Sequence, residues 1–380
     1  MATYSIGGGN VTHSYSGNNT IYGTNGNDSI TNVGNAKVLL GGGKDTVNIT
    51  GSGFVTLGNG QDSVNVTGNG SVTVGKGNDT IKIGGNGGAI SLGGGNDLLS
   101  VHGSTGPITL GNGRDTVSIG SNATLTAGSG PDSIFVGGTA AITAGNGSDS
   151  ISIGRGTISV GSGGDSISVA GNGAVTESGT GGHDTIALGI GNDTISEQGH
   201  ATVKVGATGG SATIFGGGLT VTHSGATTQE LVQSGKVTID GGTTSTKFIA
   251  ASTGSDVFVG GSGASTFYAG GALTTMTGGS GSNVFQGGAA HTTMTGGSGS
   301  NLFQFLTVSQ GGHPGGTTII TNFVSKDQLY LEGNSLAQLN AAHDITTKNG
   351  NTFISLSDGT TVELKGFTSL TKSEITTNHK

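Results

Sequence analysis

One acidic residue recurs at a fixed place in the first half of the chain. Every aspartate before residue 200 closes a glycine-containing turn, as in Gly58-Asn-Gly-Gln-Asp62, and the first nine are spaced at steps of 16 to 18 residues. These aspartates are Asp28, Asp45, Asp62, Asp79, Asp97, Asp115, Asp132, Asp149, Asp165, Asp184 and Asp193. A carboxylate repeated so regularly in a turn predicts a column of metal ligands, and its oxygen chemistry points to calcium.

Calcium accepts six to eight hard oxygen ligands in loose geometry, whereas magnesium demands a stricter octahedron. Carboxylates stacked about 4.8 Å apart would also resist ionising together unless a cation lay between them. An alternative is that each aspartate caps its own turn by accepting hydrogen bonds from backbone N–H groups, as Asx turns do. The repulsion between stacked carboxylates favours calcium over this alternative.

The elements that carry the aspartates are short strands. The period from Leu57 to Val74 contains one strand with Val64 and Val66 facing inward and a second with Val72 and Val74 facing the same way. Two-residue alternation inside a period of about 17 residues predicts an all-β parallel β-solenoid of the β-roll or β-helix kind. The second turn of each period, such as Thr67–Ser71, carries no acid. We therefore expect a calcium column on one edge only.

The Gly-x-Gly-x-Asp-x-(Val/Ile) units closely resemble the hemolysin-type, repeats-in-toxin (RTX) nonapeptide. In that family, glycine-loop carbonyls and the aspartates of successive turns hold calcium between them. The resemblance implies that carbonyl oxygens join the repeated aspartates as ligands here, those of Gly41, Gly43, Gly58, Gly60, Gly75, Gly77, Gly111, Gly113, Gly145 and Gly147. The chain departs from the family pattern because half of each turn lacks the acid, which favours a one-edged solenoid.

Three sections follow from the repeats, with boundaries at 1–195, 196–308 and 309–380. In the second section, Thr275–Gln286 matches Thr293–Gln304, and Asn283 and Asn301 stand where the first repeat has aspartate. In this section we expect only Asp256 to keep the acid, and therefore hydrogen-bonded ladders without a full row of ions. Phenylalanine and methionine replace valine and isoleucine, which predicts a wider core.

The last section, 309–380, predicts a small, mostly β cap. Strands are expected at Thr317–Phe323, Gln328–Leu331, Thr352–Leu356 and Thr361–Leu364, with a short helix at Ser335–Asp344 and a hairpin turn at Ser357–Thr360. The layout resembles the end of RTX proteins exported by type I secretion, which implies an uncleaved export signal. Earlier, Glu177 and Glu197 occupy inward positions, either as extra calcium ligands or, as we favour, at the end of the regular repeat.

Composition narrows the function classes. The chain has no cysteine, a net charge of −8 and scattered basic residues, which exclude thiolate metal sites and argue against nucleic-acid binding. Its first residues lack the pattern of a signal peptide, and no run of apolar residues is long enough to span a membrane. The nine histidines are dispersed and no catalytic constellation is present, so we expect no enzyme.

We expect a secreted, extracellular or cell-surface structural protein, loose without calcium and rigid with it, acting in a surface layer, biofilm matrix or adhesive filament. Its expected partners are copies of itself and anionic polysaccharide. One alternative is a carbohydrate- or ice-binding face on the ladder Thr56, Thr73, Ser91, Thr109, Thr126, Thr143, Ser159 and Thr176. Another is an export module of a larger toxin or enzyme, against which the Met1 start and the lack of an effector domain argue.

Overall fold

The computed structural model describes residues 2–179, 181–206, 208–216, 218–223, 226–232, 237–241, 247–250, 254–270, 273–288, 290–307 and 315–376. The predicted all-β parallel β-solenoid is confirmed. The chain divides into two compact units, residues 1–186 and 187–380. Among the described residues, no helix has the length and apolar character that a membrane crossing requires.

Two short strands per turn build most of the first unit, because each Gly-x-Gly corner reverses the chain before an alternating apolar pair, while Ser133–Thr143 and Ser150–Val160 are single strands of 11 residues. Its strands are β1 (Ala2–Ser5), β2 (Thr12–Ser16), β3 (Asn19–Tyr22), β4 (Ser29–Val33), β5 (Ala36–Leu39), β6 (Thr46–Ile49), β7 (Gly53–Thr56), β8 (Ser63–Val66), β9 (Gly70–Thr73), β10 (Thr80–Ile83), β11 (Gly87–Ser91), β12 (Leu98–Val101), β13 (Pro107–Thr109), β14 (Thr116–Ile119), β15 (Ala123–Thr126), β16 (Ser133–Thr143), β17 (Ser150–Val160), β18 (Ser166–Val169) and β19 (Gly173–Glu177), followed by β20 (His183–Leu188) at the boundary.

Strands one turn apart pair in parallel with the register that the repeat predicts. Val47 pairs with Val64, Val64 with Ile81, and Ile81 with Leu99. On the second strand of each turn, Val55 pairs with Val72 and Ile108 with Leu125. All of these side chains are buried. The core of the unit is therefore two facing columns of aliphatic side chains, stacked one layer per turn.

The second unit contains β21 (Asp193–Glu197), β22 (His200–Val205), β23 (Thr208–Gly216), β24 (Leu219–His223), β25 (Ala226–Val232), β26 (Val237–Asp240), β27 (Lys247–Ala250), β28 (Ser255–Val259), β29 (Thr266–Tyr268), β30 (Leu273–Thr277), β31 (Val284–Gln286), β32 (Thr292–Thr295), β33 (Leu302–Phe305), β34 (Thr317–Thr321), β35 (Gln328–Leu331), α1 (Leu336–Ala342), β36 (Ile345–Lys348), β37 (Asn351–Ser355) and β38 (Thr361–Leu364). Strands β28 to β33 again pair in parallel with partners one turn away.

Aromatic rings fill the core of the second unit. Phe267 stacks on Phe248 with ring centroids 4.8 Å apart, Phe285 on Phe267 at 4.8 Å, and Phe303 on Phe285 at 4.9 Å. The rings lie within 10° of parallel, and all four are fully buried. Met276 and Met294 are also fully buried, so the methionine–phenylalanine stripe is core, as the sequence predicted.

The C-terminal elements also match the sequence prediction closely. Helix α1 begins with a capping box in which the Ser335 side chain accepts from the backbone of Gln338, as expected for a short helix at 335–344. Strands β37 and β38 form the predicted antiparallel hairpin, and β38 pairs in parallel with β34. The sequence prediction missed β36, which pairs with β37.

Candidate metal sites

The aspartates of the first unit, Asp28 to Asp184, form a continuous inward column, here called the aspartate column. Strand alternation explains their direction: Asp45, Val47 and Ile49 are buried, whereas Lys44 is exposed and Thr46 and Asn48 are half-buried. Each aspartate of the column is at most 3% exposed. The carboxylates thus lie inside the corner between glycine turn and strand, rather than on the outside of an exposed loop.

One carboxylate oxygen of each aspartate bonds to the preceding turn. Asp62 Oδ1 accepts from the backbone N–H of Asp45 at 2.9 Å, and Asp79 Oδ1 accepts from that of Asp62 at 2.8 Å. The same bond recurs along the column at 2.7 to 2.9 Å, up to Asp184 Oδ1 and the N–H of Asp165. The Asx-like alternative was therefore partly right, although the carboxylate bonds to the backbone of the neighbouring turn and not of its own.

The other carboxylate oxygen, Oδ2, is buried and has no hydrogen-bond partner. This holds for Asp28, Asp45, Asp62, Asp79, Asp97, Asp115, Asp132, Asp149 and Asp184. A buried ionised oxygen without a partner is strongly unfavourable, so each of these atoms needs a cation or a proton. Each of these nine aspartates therefore has one oxygen whose charge is not compensated by a hydrogen bond.

The glycine carbonyls divide into two groups. Those of Gly41, Gly58 and Gly145 accept backbone hydrogen bonds from Gly58, Gly75 and Gly161 in the next turn, at 2.7, 2.9 and 3.0 Å. One lone pair of each of these three carbonyls is therefore used by a backbone N–H. In the second group, no N–H group among the described residues bonds to the carbonyl; it contains the first glycines Gly75 and Gly111 and the second glycines Gly43, Gly60, Gly77, Gly113 and Gly147.

Neighbouring glycine turns touch backbone to backbone. A Cβ added to Gly60 would collide with the carbonyl oxygen of Gly43, and one added to Gly77 with that of Gly60. Gly43 and Gly77 also have φ values of 137° and 153°, which other residues rarely adopt. Glycine is therefore required at these corners for both steric and conformational reasons.

Burial makes the aspartate column hard to ionise. It raises the pKa of Asp45, Asp79 and Asp115 from 3.8 to about 6 and that of Asp132 to about 7. The backbone N–H donor acts in the opposite direction, while adjacent carboxylates add to the rise. Burial also raises the pKa values of Asp62, Asp97, Asp149 and Asp184.

Three further acids, Glu177, Asp193 and Glu197, are buried near the end of the column. Glu177 pairs in register with the core residue Val160, and its carboxylate comes within 4.8 Å of that of Asp184, so these two acids of the first unit could share a metal ion. In the second unit, Asp193 is buried at the start of β21, and its register partner in the next turn is Ala212. Strands continue beyond Glu197, so the regular strand pattern does not end there.

The second unit carries an amide version of the column, here called the asparagine ladder: Ser265, Asn283, Asn301 and Asp327. Asn283 Oδ1 accepts from the N–H of Ser265 at 2.9 Å, Asn301 Oδ1 from that of Asn283 at 3.1 Å, and Asp327 Oδ1 from that of Asn301 at 2.8 Å. The predicted hydrogen-bonded ladder is thus confirmed for these turns.

The ladder contains an acid that the sequence prediction missed and lacks one that it assigned. Asp327 belongs to the ladder, and its Asp-x-Leu-x-Leu pattern, which matches Asp62-x-Val-x-Val, was the available signal. Asp256 does not belong to it, because its register partner is Thr274. Asp256 Oδ1 accepts from the N–H of Val237 at 3.3 Å, and burial raises its pKa to about 6.

At both corners of the turns in the first unit, exposed asparagine side chains accept hydrogen bonds from the backbone of the next turn. Asn59 Oδ1 accepts from the N–H of Lys76 at 2.8 Å, and Asn112 Oδ1 from that of Ser129 at 2.9 Å, beside the aspartate column. At the opposite corner, Asn69 Oδ1 accepts from the N–H of Asn86 at 2.8 Å. The aspartates therefore stand on one edge only, as the sequence predicted.

The predicted hydroxyl ladder also exists as a surface feature. Thr56 pairs with Thr73, Thr109 with Thr126, and Thr126 with Thr143, and these side chains are exposed. The exposed positions two residues earlier on the same strands are occupied by Pro107, Thr124 and Ala141, so they do not form a second regular row of hydroxyl groups. Of the histidines considered as ligands, His102, His183 and His200 are exposed, and the side chain of His223 lies outside the described residues.

Comparisons with known protein families, with curated proteins and with solved structures found no match to this chain.

Proposed function

We propose that this chain is a secreted calcium-binding structural protein of the RTX type, whose solenoid is rigidified by ions along the aspartate column. The observation that carries the proposal is the buried Oδ2 atom without a hydrogen-bond partner that recurs at Asp28, Asp45, Asp62, Asp79, Asp97, Asp115, Asp132, Asp149 and Asp184. The unbonded carbonyls of Gly43, Gly60, Gly77, Gly113 and Gly147 supply further hard oxygens in the same turns. This donor set suits calcium, which tolerates loose geometry and carbonyl ligands.

Calcium would act on this chain as a folding ligand. Ordering a glycine-rich backbone is costly in conformational entropy, and the stacked carboxylates repel one another. An ion that binds the folded column but not the unfolded chain adds its binding free energy to stability. The expected role is stiffness in a surface layer, biofilm matrix or adhesive filament.

Circular dichroism tests the proposal. At pH 7.5 we expect a β-sheet spectrum in millimolar calcium and substantial loss of that signal in excess EGTA, with recovery when calcium is restored. Magnesium at the same concentration serves as the control and should restore much less signal. Equal β content in chelator and in calcium would refute the calcium role.

The same sites suggest a partner. One divalent ion per carboxylate leaves net positive charge along the column, which suits an anionic polysaccharide. We expect retention on immobilised alginate in calcium and release in chelator. A neutral dextran matrix controls for non-specific retention, and binding to alginate that persists in chelator would contradict this proposal.

A further inference from the structure

The asparagine ladder differs from the aspartate column by one atom per turn. Asn283 and Asn301 follow their second glycine by two residues, as Asp62 follows Gly60, and their Oδ1 atoms make the same bond to the neighbouring turn. The amide nitrogen Nδ2 therefore stands where aspartate has its unpartnered Oδ2. The chemistry at this atom is reversed, because an N–H donor replaces an acceptor.

Each amide nitrogen of the ladder is satisfied from within the protein. Asn283 Nδ2 donates to the carbonyl of Gly281 at 2.8 Å and to Asn301 Oδ1 at 3.0 Å. Asn301 Nδ2 donates to the carbonyl of Gly299 at 3.0 Å and to Asp327 Oδ1 at 3.0 Å. In the aspartate turns the carbonyl two residues before the acid, such as that of Gly60, receives no hydrogen bond. In the ladder the corresponding carbonyls of Gly281 and Gly299 accept from the amide nitrogens. The amide hydrogens meet the demand that a cation would otherwise meet.

The ladder ends on Asp327, whose two carboxylate oxygens both accept hydrogen bonds within the protein. Asp327 Oδ1 accepts from the N–H and the side chain of Asn301, and Asp327 Oδ2 accepts from the N–H of Val324 at 3.0 Å. Three N–H groups therefore surround this buried carboxylate, whereas Asp62 Oδ1 has one and its Oδ2 has none. Hydrogen bonds from N–H donors therefore reach both oxygens of Asp327 without a metal ion.

We infer that the asparagine ladder is a cation-independent counterpart of the aspartate column: it stays folded when divalent ions are removed, whereas the aspartate column does not. This inference rests on the proposed calcium role of the column. The stacked rings of Phe267, Phe285 and Phe303 lie in the strands of this ladder and give it a core that needs no ion.

Hydrogen exchange of the full chain, resolved by peptide, tests the inference at pH 7.5 in EGTA and in calcium. Peptides covering 280–305 should be protected in both conditions, whereas those covering 60–100 should be protected only in calcium. Loss of protection at 280–305 in EGTA would overturn the inference and leave the calcium role intact. Protection at 60–100 in EGTA would instead overturn the calcium role itself.

Substitutions that replace the amide nitrogen by an oxygen, or the reverse, test the inference at single positions. Asn301→Asp removes the donor to Gly299 and should speed exchange of 280–305 in EGTA by about tenfold or more, the usual effect of an unsatisfied buried group. Calcium should reverse much of that change. The reciprocal Asp79→Asn should slow exchange of its own turn in EGTA. Ser282→Asp adds the same charge at an exposed neighbour and should change neither.

If Asn301→Asp exchanges as slowly as the parent chain in EGTA, the inference is wrong. If that variant fails to fold in either condition, Asp79→Asn still decides the question, because an unchanged exchange rate at its turn would also overturn the inference.

Discussion

At the scale of single residues, the two oxygens of each aspartate have separate tasks. At Asp62, Asp79 and Asp97, for example, Oδ1 accepts a hydrogen bond from a backbone N–H of the neighbouring turn, while Oδ2 is buried and has no hydrogen-bond partner. The first task is structural and needs no charge. The second makes the fold depend on what neutralises the oxygen, either a cation or a proton.

The pKa values give this dependence a direction. Burial raises the pKa of Asp45, Asp79 and Asp115 to about 6 and that of Asp132 to about 7, so the folded chain binds these protons more tightly than the unfolded chain. The resulting stability is present below about pH 4 and is lost as pH rises through 6 to 7. In chelator, we therefore expect thermal unfolding at a higher temperature at pH 4.5 than at pH 7.5.

Calcium should remove or reverse that pH dependence, because protons and calcium compete for the same oxygens. Calorimetry in calcium at both pH values provides the comparison. A chelated chain that is most stable at pH 7.5 would contradict the proton requirement of the column.

A single glycine should be as important as an aspartate. In Gly60→Ala the new Cβ meets the carbonyl of Gly43, and we expect a loss of stability of about 1–3 kcal/mol in calcium, as for other overpacked sites. Gly7→Ala is the matched control, because no atom lies near its Cβ. Thermal melts of both variants in calcium measure the difference, and equal melting temperatures would rule out the predicted collision.

At the scale of elements, each strand depends on the strands one turn away. Ile81 is buried between Val64 and Leu99, so Ile81→Ala should destabilise the column by about 2–5 kcal/mol. Lys82→Ala, on the exposed side of the same strand, should have little effect. Hydrogen exchange should show the damage concentrated in turns 64–99, since non-neighbouring turns make no direct contribution to this layer. Uniform faster exchange through the first unit would contradict this locality.

The sequence predicted these elements well where the period is regular. Val64 and Val66, then Val72 and Val74, alternate so strictly that only a stacked strand can bury them all. It failed where the period changes: Asp327 lies 26 residues beyond Asn301, so its Asp-x-Leu-x-Leu pattern does not fall at the repeat spacing, and its place in the ladder is seen from its hydrogen bond to Asn301. The separate roles of Oδ1 and Oδ2 depend on how closely the backbones of neighbouring turns approach. The spacing of residues along the sequence does not give that distance.

At the scale of the whole molecule, the proposed role requires association between copies. If the protein serves in a surface layer or filament, calcium should promote ordered assemblies visible by electron microscopy, and chelator should disperse them. Magnesium at equal concentration is the control for ionic strength. Particles that remain single at all calcium concentrations would argue against a self-assembling role.

The asparagines on the outer corners bear on how the chain resists deamidation. Asn59, Asn112 and Asn146 each precede a glycine, a pair prone to deamidation because the glycine nitrogen attacks the asparagine side chain. In the folded turn, the backbone of Lys76 in the next turn binds both the asparagine side chain and the glycine nitrogen. Its N–H donates to Asn59 Oδ1 at 2.8 Å, and its carbonyl accepts from the N–H of Gly60 at 2.8 Å. The folded turn thus keeps the nitrogen from its target. A copy kept unfolded would lack this protection and would accumulate new carboxylates at these corners.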